Sequence, residues 1–393
     1  MDHTDELIYL DNAATSFPKS PSVVRAMADF LRNQAVNPGR SGYDLSVSVG
    51  DLVAGARQRL DRFFNNPAGD AKRTVFCANA TDGLNLALQG MCRPGDHVVS
   101  TVLEHNSVLR PLHELRRRGV IDFDLAPCDS RGIVDPAAIA TLLRPMTRLV
   151  VMSHASNVVG TLQPVAEIGQ LCRTRQVALL VDAAQTAGVV PVDMAALGAD
   201  LLVFTGHKGL GGPTGIGGLL VGPDVEIEST RWGGTGVRSA QLEHLAEYPY
   251  RLEAGTINTV GIVGLLAGLD QIEERGMASI LAHEQDLDRR FRTGCRSIKG
   301  LTLLGESDGR DPESQRVAVT SLRQENLDPA AAGQFLDADW NLAVRSGLHC
   351  APLAHEALGT APAGAVRFSF GPHNTTAHVT RALAALAHLA GEA

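Results

Sequence analysis

Lys208 lies in the run Phe204-Thr205-Gly206-His207-Lys208-Gly209, between an apolar stretch and the glycine-rich Gly209-Leu210-Gly211-Gly212-Pro213-Thr214-Gly215. Small neighbours let a bulky aldehyde approach an amine, and partial desolvation makes that amine nucleophilic, so the setting suits a Schiff-base lysine. The plain alternative is a surface lysine beside a flexible loop. The run has no Gly-Lys-Ser/Thr of a nucleotide phosphate loop and no G-x-G-x-x-G spacing. Asp182 directly follows Leu179-Leu180-Val181. A carboxylate at that place can pair with a cation or cap a helix. Ala78-Asn79-Ala80-Thr81-Asp82-Gly83 joins a strand pattern to a helix pattern. Small residues at a helix N-terminus offer free N–H groups and the positive end of the dipole to a phosphate, although Thr81 could be a simple cap. Together the three runs supply a phosphate cradle, an amine for an aldehyde, and a carboxylate to keep a pyridine nitrogen protonated. Those are the requirements of pyridoxal 5′-phosphate (PLP) acting as an electron sink.

For these runs to meet, the elements before them must end at one edge of one sheet. The sequence predicts strands at 74–77, 97–100, 148–152, 178–181, 201–204 and 218–221, with helices over 82–91, 108–118 and 165–175 between the first of them. Nearly continuous apolar strands alternating with helices imply a mostly parallel sheet covered on both faces, with ligands at the carboxyl ends of its strands. After about residue 261 the texture changes. Helices are expected over 262–275, 278–292 and 376–390, with weaker strands near 301–304 and 316–320, which reads as a smaller α+β domain. The polar stretch 306–315 reads as a surface loop.

Composition narrows the class. The chain has 393 residues, which favours two domains over one core. Hydrophobic residues make up 44% and charged ones 20%, as in an ordinary globular protein. A net charge of −8 gives no diffuse attraction for phosphate backbones, so nucleic acid is not an expected partner. The charged first six residues carry no apolar signal core, and the longest apolar stretch, about 261–269, is too short for a bilayer, so no membrane partner is expected. Cys77, Cys92, Cys128, Cys172, Cys295 and Cys350 are scattered without a CxxC pair. That pattern suggests reduced thiols of a cytoplasmic protein and no metal site.

Seven runs, two of them overlapping those above, appear in order along nearly the whole chain: Tyr9-Leu10-Asp11-Asn12-Ala13-Ala14, Glu104-His105, Ser156-Asn157, Val181-Asp182-Ala183-Ala184-Gln185, Thr205-Gly206-His207-Lys208, Glu253-Ala254-Gly255-Thr256-Ile257-Asn258 and Arg345-Ser346-Gly347-Leu348-His349-Cys350-Ala351-Pro352. With them the chain resembles the class V aminotransferase-fold PLP enzymes, and within these the group II cysteine desulfurase and selenocysteine lyase branch. The resemblance implies PLP-dependent transferase fold type I, an α/β fold. Its large PLP-binding domain would span 20–260, and its small α+β domain 1–19 with 261–393.

The resemblance also implies roles. Lys208 would carry the cofactor, Asp182 would pair with its ring nitrogen, Gln185 would bond its phenolic oxygen, and His105 would stack on its ring. On the residues alone, His105 would pass as an ordinary satisfied histidine. Asn157 would lie beside cofactor and substrate. Thr81, Thr205 and His207 would hold the phosphate, with Ala80 offering its N–H where relatives often have a hydroxyl. Thr256 would reach the phosphate of a neighbouring subunit, implying a homodimer. Arg367 would grip the substrate carboxylate, for which a guanidinium fork is suited. Cys350 would attack the sulfur of L-cysteine and keep it as a persulfide, leaving L-alanine. Cations at Arg345 and His349 would lower its pKa, with Arg345 also near the substrate. Leu348 stands where relatives often have a second histidine. A sulfur-acceptor protein, iron–sulfur cluster assembly among its purposes, would take the product. Alternatives are a selenocysteine lyase, or another class V aminotransferase, lyase or epimerase in which Cys350 is incidental.

Overall fold

The computed structural model of the protein describes residues 7–39, 42–306 and 316–392. The first six residues, read above for a signal, and nearly all of the polar stretch read as a surface loop lie outside the described residues. The chain opens with β1 (Ile8–Tyr9), α1 (Pro21–Asn33) and α2 (Asp44–Phe63). The alternating region follows: β2 (Thr74–Cys77), α3 (Ala80–Met91), β3 (Asp96–Thr101), α4 (Asn106–Arg117), β4 (Ile121–Ala126), α5 (Pro136–Leu142), β5 (Thr147–Ser153), α6 (Val165–Arg175), β6 (Ala178–Asp182), α7 (Met194–Leu197), β7 (Leu201–Thr205) and β8 (Gly217–Val221). These strands form one 7-stranded sheet in the order β2-β8-β7-β6-β5-β3-β4.

The expected α/β architecture with a mostly parallel central sheet is what the chain adopts. β4, β3, β5, β6 and β7 run parallel, while β8 is antiparallel to both β7 and β2. Two reversals cancel, so β2 points the same way as β6 and β7. Their C-terminal ends share one edge, and that edge receives Ala80, Asp182 and Lys208. Continuous apolar strands follow from burial on both faces. Leu179 and Val181 pack into one core, and Leu180 between them packs into the other.

The remaining elements are α8 (Thr259–Arg275), α9 (Met277–Arg296), β9 (Leu301–Leu303), β10 (Val319–Gln324), α10 (Pro329–Trp340), β11 (Leu342–Ala343), β12 (Arg345–Gly347), α11 (Pro352–Ala357), β13 (Ala365–Ser369) and α12 (Thr376–Glu392). A 4-stranded antiparallel sheet of order β12-β13-β10-β9 carries a third core, in which Phe291 of α9 meets Phe368 of β13 with ring centroids 4.6 Å apart. β1 pairs with β11 in a separate 2-stranded sheet, and a bridge from Asp11 to Ser369 of β13 ties the N-terminal segment to the 4-stranded one. α8 packs Ile262, Leu265, Leu269 and Ile272 into a core of the large sheet.

Where the expected elements shift, polar residues are the cause. The strand expected at 316–320 runs over Val319–Gln324: Arg316 and Val317 are bonded to the 160–161 segment instead, and the apolar pattern hides a strand whose buried middle is Thr320-Ser321. Both hydroxyls are satisfied, by Asp288 at 2.6 Å and by the Val158 carbonyl at 2.6 Å. The helix expected from Asp82 begins at Ala80, because Asn79 is the cap and its side chain accepts from the Asp82 N–H at 3.0 Å. No helix among the described residues is long and apolar enough to cross a membrane.

Candidate active site

Where the large sheet's carboxyl edge meets the small sheet, a cavity of about 300 Å³ opens. Ala80, Thr81, His105, Asn157, Asp182, Gln185, Thr205, His207, Lys208, Arg345 and Arg367 all line it. The fold therefore gathers most of the expected residues in one place. Thr256 is exposed and is not among the lining residues. The sheet edge also needs close backbone approach. A Cβ on Gly217 would meet the Phe204 carbonyl at 2.7 Å and Asn79 Cα at 2.9 Å, so glycine there lets the loop before α3 sit against β7 and β8.

The electrostatics of the cavity follow from burial. Desolvation pulls the Lys208 amine down to about 8, with Asp182 opposing and Arg367 and Arg345 adding to the drop. Desolvation lifts the Asp182 carboxyl, against the Ala184 N–H that it accepts at 2.9 Å and the charge of Lys208. His105 caps α4, accepting at Nδ1 from the Ser107 N–H at 3.0 Å, and burial followed by the Lys208 charge pushes it to about 4. Its imidazole is neutral at neutral pH, as a stacking face requires. Gln185 donates to the Ala13 carbonyl at 3.1 Å. Thr15, Lys19 and the Ser16 N–H all donate to the His207 carbonyl, at 2.9, 2.7 and 3.0 Å, fixing the residue before Lys208.

The small sheet brings Arg367. It lies on β13, 1% exposed, with Nη2 2.6 Å from Asp11 Oδ1 and Nη1 3.1 Å from the Asn157 carbonyl. Its Nε has no partner. Asp11 is the residue that sequence reasoning left without a role. It stood in a quoted run, but nothing in that run showed that its partner would be a buried cation.

Cys350 stands on a reversed turn just after β12. The Ala351 N–H donates to the Leu348 carbonyl at 2.9 Å, and the two central residues have positive φ, 50° at His349 and 58° at Cys350. Left-handed turns of this kind favour Gly or Asn, and each other residue there costs about 1–2 kcal/mol. Polar contacts hold the turn. Asn157 Nδ2 donates to the His349 carbonyl at 2.7 Å, and the Asn106 N–H to the Cys350 carbonyl at 2.7 Å. Arg345 Nη2 lies 3.3 Å from Cys350 Sγ. His349 differs from expectation. Burial, with Arg367 nearby, pushes it to about 2, and its ring nitrogens face His355 and the Arg345 carbonyl. It is a neutral, buried partner and not a cation for the thiol. Cys350 itself lines a second cleft, of about 390 Å³, between α3 and α4, which shares Thr81, His105 and Ser107 with the first cavity.

A family model for aminotransferase class V matches residues 8–382. The chain belongs to the aminotransferase class V family. A probable cysteine desulfurase of Methanothermobacter thermautotrophicus is 35% identical over 391 residues, covering 98% of this chain and 95% of that protein. A cysteine desulfurase of Shigella flexneri is 34% identical over 390 residues, covering 97% of this chain and 92% of that one. Among solved structures, the apo cysteine desulfurase of Thermococcus onnurineus NA1 matches with a TM-score of 0.91 and 31% identity, covering 99% of this chain and 96% of that one.

The class V family depends on PLP, and the cavity has the donors for it. Thr205 Oγ1 and His207 Nδ1 are buried without a hydrogen-bond partner. An unfilled buried polar atom costs about 1–3 kcal/mol, so two at one sheet edge imply a polar ligand. Both line the same cavity as Ala80 and Thr81 at the start of α3. That donor set fits a phosphate.

Proposed function

We propose that this protein is a PLP-dependent cysteine desulfurase that converts L-cysteine to L-alanine and keeps the sulfur as a persulfide on Cys350. The observation that carries the proposal is the placing of the Cys350 thiol. It lines the outer cleft, which shares Thr81, His105 and Ser107 with the Lys208 cavity, and the guanidinium of Arg345, which lines that cavity, lies 3.3 Å from its sulfur. The guanidinium donates a hydrogen bond to the sulfur and so orients it.

Thr81, Thr205, His207 and the Ala80 N–H would hold the cofactor's phosphate. Lys208, Asp182, Gln185, Asn157 and His105 would hold its ring and aldehyde. When bound, PLP supplies an electron sink for the pair released at the substrate Cα. The chain's own residues do the rest. The free Nε of Arg367 and its Nη groups take the substrate carboxylate, with Asp11 orienting the guanidinium. Lys208, whose pKa near 8 brings the neutral amine within reach near neutral pH, takes the proton from Cα. The Cys350 thiolate attacks the substrate sulfur, so that an S–S bond forms as Cβ–S breaks. The carbon is reduced and, once protonated, ends as alanine. The transferred sulfur is oxidised to the sulfane level. An acceptor thiolate entering by the outer cleft then attacks that sulfur and returns Cys350 as a thiolate.

We also propose a homodimer. Val24 and Leu31 of α1, Val47 of α2 and Trp232 are large apolar side chains left exposed in the protomer, and exposed Thr256 would face the partner's phosphate site.

Mass spectrometry of the protein after incubation with L-cysteine tests the reading. One added sulfur on Cys350 together with free alanine supports it. A keto acid or D-amino acid as product, with Cys350 unchanged, would point to another class V reaction.

A further inference from the structure

Behind the Cys350 turn, three buried side chains form a hydrogen-bonded line that the reaction above does not use. His349, His355 and Thr360 are 3%, 0% and 3% exposed. His349 Nε2 lies 3.1 Å from the Arg345 carbonyl, His349 Nδ1 lies 3.1 Å from His355 Nε2, and His355 Nδ1 lies 2.7 Å from Thr360 Oγ1.

The direction of each bond follows by elimination. A carbonyl only accepts, so His349 Nε2 carries the hydrogen. A neutral imidazole has one N–H, so His349 Nδ1 is a bare acceptor facing His355. His355 Nε2 must therefore donate, which leaves its own Nδ1 to accept from the Thr360 hydroxyl. The opposite tautomer of His355 would set two lone pairs against each other at 3.1 Å. Burial holds both rings below neutrality, His355 at about 4 and His349 at about 2, so neither escapes the conflict by protonation.

The line ends on the functional turn. His349 occupies the first of its two positive-φ places. Its carbonyl is held by Asn157, whose own carbonyl receives Arg367. The residue whose carbonyl it bonds, Arg345, places its guanidinium beside Cys350 Sγ.

We propose that His355 is a positioning residue for the desulfurase reaction: by donating from Nε2 to His349 Nδ1, in a tautomer that the Arg345 carbonyl sets through His349, it holds the reversed turn that presents the Cys350 thiol. This rests on Cys350 being the nucleophile. His355 touches neither cofactor nor substrate, so its loss acts on the sulfur-transfer step and leaves cofactor and cysteine binding intact.

The experiment compares alanine release by PLP-loaded wild type, H355Q, H355F, T360V and C350S. A glutamine amide nitrogen can take the place of His Nε2 and donate, whereas phenylalanine fills the space without donating. H355F leaves His349 Nδ1 unpaired, and kcat is expected to fall about 30-fold with KM for cysteine within about two-fold. H355Q is expected to recover to within about three-fold of wild type, and T360V, which leaves His355 Nδ1 unpaired and its ring less firmly held, to lose about five-fold in kcat. Wild-type kcat in H355F, or H355Q as impaired as H355F, overturns the proposal, because a donor would then not matter. If H355F does not fold or take up cofactor, H355L replaces it as the variant without a donor, and wild-type kcat in H355L overturns the proposal. C350S separates the two levels. Full turnover in C350S removes the thiol's role and this proposal with it, while loss in C350S with no loss in H355F or T360V removes the positioning role alone.

Discussion

Lys208 follows β7, a strand whose five residues are all buried and which is laddered to a neighbour on each side. Cys350 follows β12, a strand of three half-buried residues paired with β13. In the proposed reaction both residues serve one site, yet what fixes them differs. The first is set by a strand laddered on both sides, with Thr15, Ser16 and Lys19 closing on the carbonyl just before it. The second is set by side chains, Asn157, Arg345 and His349, around a turn with two unfavourable backbone conformations. An amine that carries a cofactor must stay in place through the cycle. A thiol that loads sulfur from one cavity and passes it to another must be presented to both, and a turn can do so where a strand end cannot.

If the two regions are separable, their variants should fail differently. Lys208→Ala should have the largest effect: no visible cofactor band after adding PLP, and turnover lower by about 10⁴-fold through loss of the Cα base. Cys350→Ser should keep the cofactor band and lose persulfide and alanine formation by about 10³-fold. A serine variant with wild-type turnover, or one that loses its band, would break the division between sheet edge and turn.

The same division explains what the sequence made legible. Strands of the large sheet are buried on both faces, so they stand out as runs of Val and Leu, and the residues at their ends could be placed together. β4, Ile121–Ala126, was missed because it is an edge strand alternating apolar residues with Asp122 and Asp124. α2 was missed because its apolar positions are interleaved with Ser, Gly and charged residues. The thiol's surroundings were legible only by resemblance. Local sequence does not show that His355 lies against His349, nor that Asp11 is 356 positions from its partner Arg367 yet 2.6 Å away. Such contacts depend on how two sheets pack, and no periodicity records that.

Arg367 sits between the two regions, on the small sheet but bonded to the carbonyl of Asn157. Arg367→Lys keeps a charge and loses the fork. KM for cysteine should rise about 10–30-fold with kcat within about three-fold, since a bond to the carboxylate is present in both ground and transition states. A fall in kcat with KM unchanged would instead tie Arg367 to the thiol's presentation and blur the division. Cofactor loading offers a milder test of the sheet edge. The neutral amine is the form that reacts with an aldehyde, so the rate at which apoprotein gains the visible band should rise with pH and level off above about 8, where Lys208 has lost its proton. Continued increase toward the range of a free lysine would mean that the amine is not desolvated as described.

Glu104 carries the smallest expected effect on turnover, because it touches only the backing of the site. It is 1% exposed and accepts from Thr101 Oγ1 at 2.7 Å, Ser153 Oγ at 2.7 Å and the Ser153 N–H at 3.1 Å. Burial outweighs those bonds and lifts it to about 7. Unfolded, it would titrate near about 4.3. Its folded pKa is therefore the higher one, so its contribution to stability is complete below about pH 4 and is lost as pH rises through about 7. Glu104→Gln mimics the protonated form and cannot titrate: its oxygen keeps two of the bonds, and its amide donates to Ser153 Oγ as the hydroxyl turns. Urea unfolding of apoprotein at pH 5 and pH 8 should show the variant gaining up to about 3 kcal/mol on wild type between the two. Parallel pH dependence in the two proteins would mean that the carboxylate is already ionised in the folded state. The bonds from Thr101 and Ser153 would then outweigh its desolvation, and the sheet edge behind His105 would be held by a charge and not by a neutral acid.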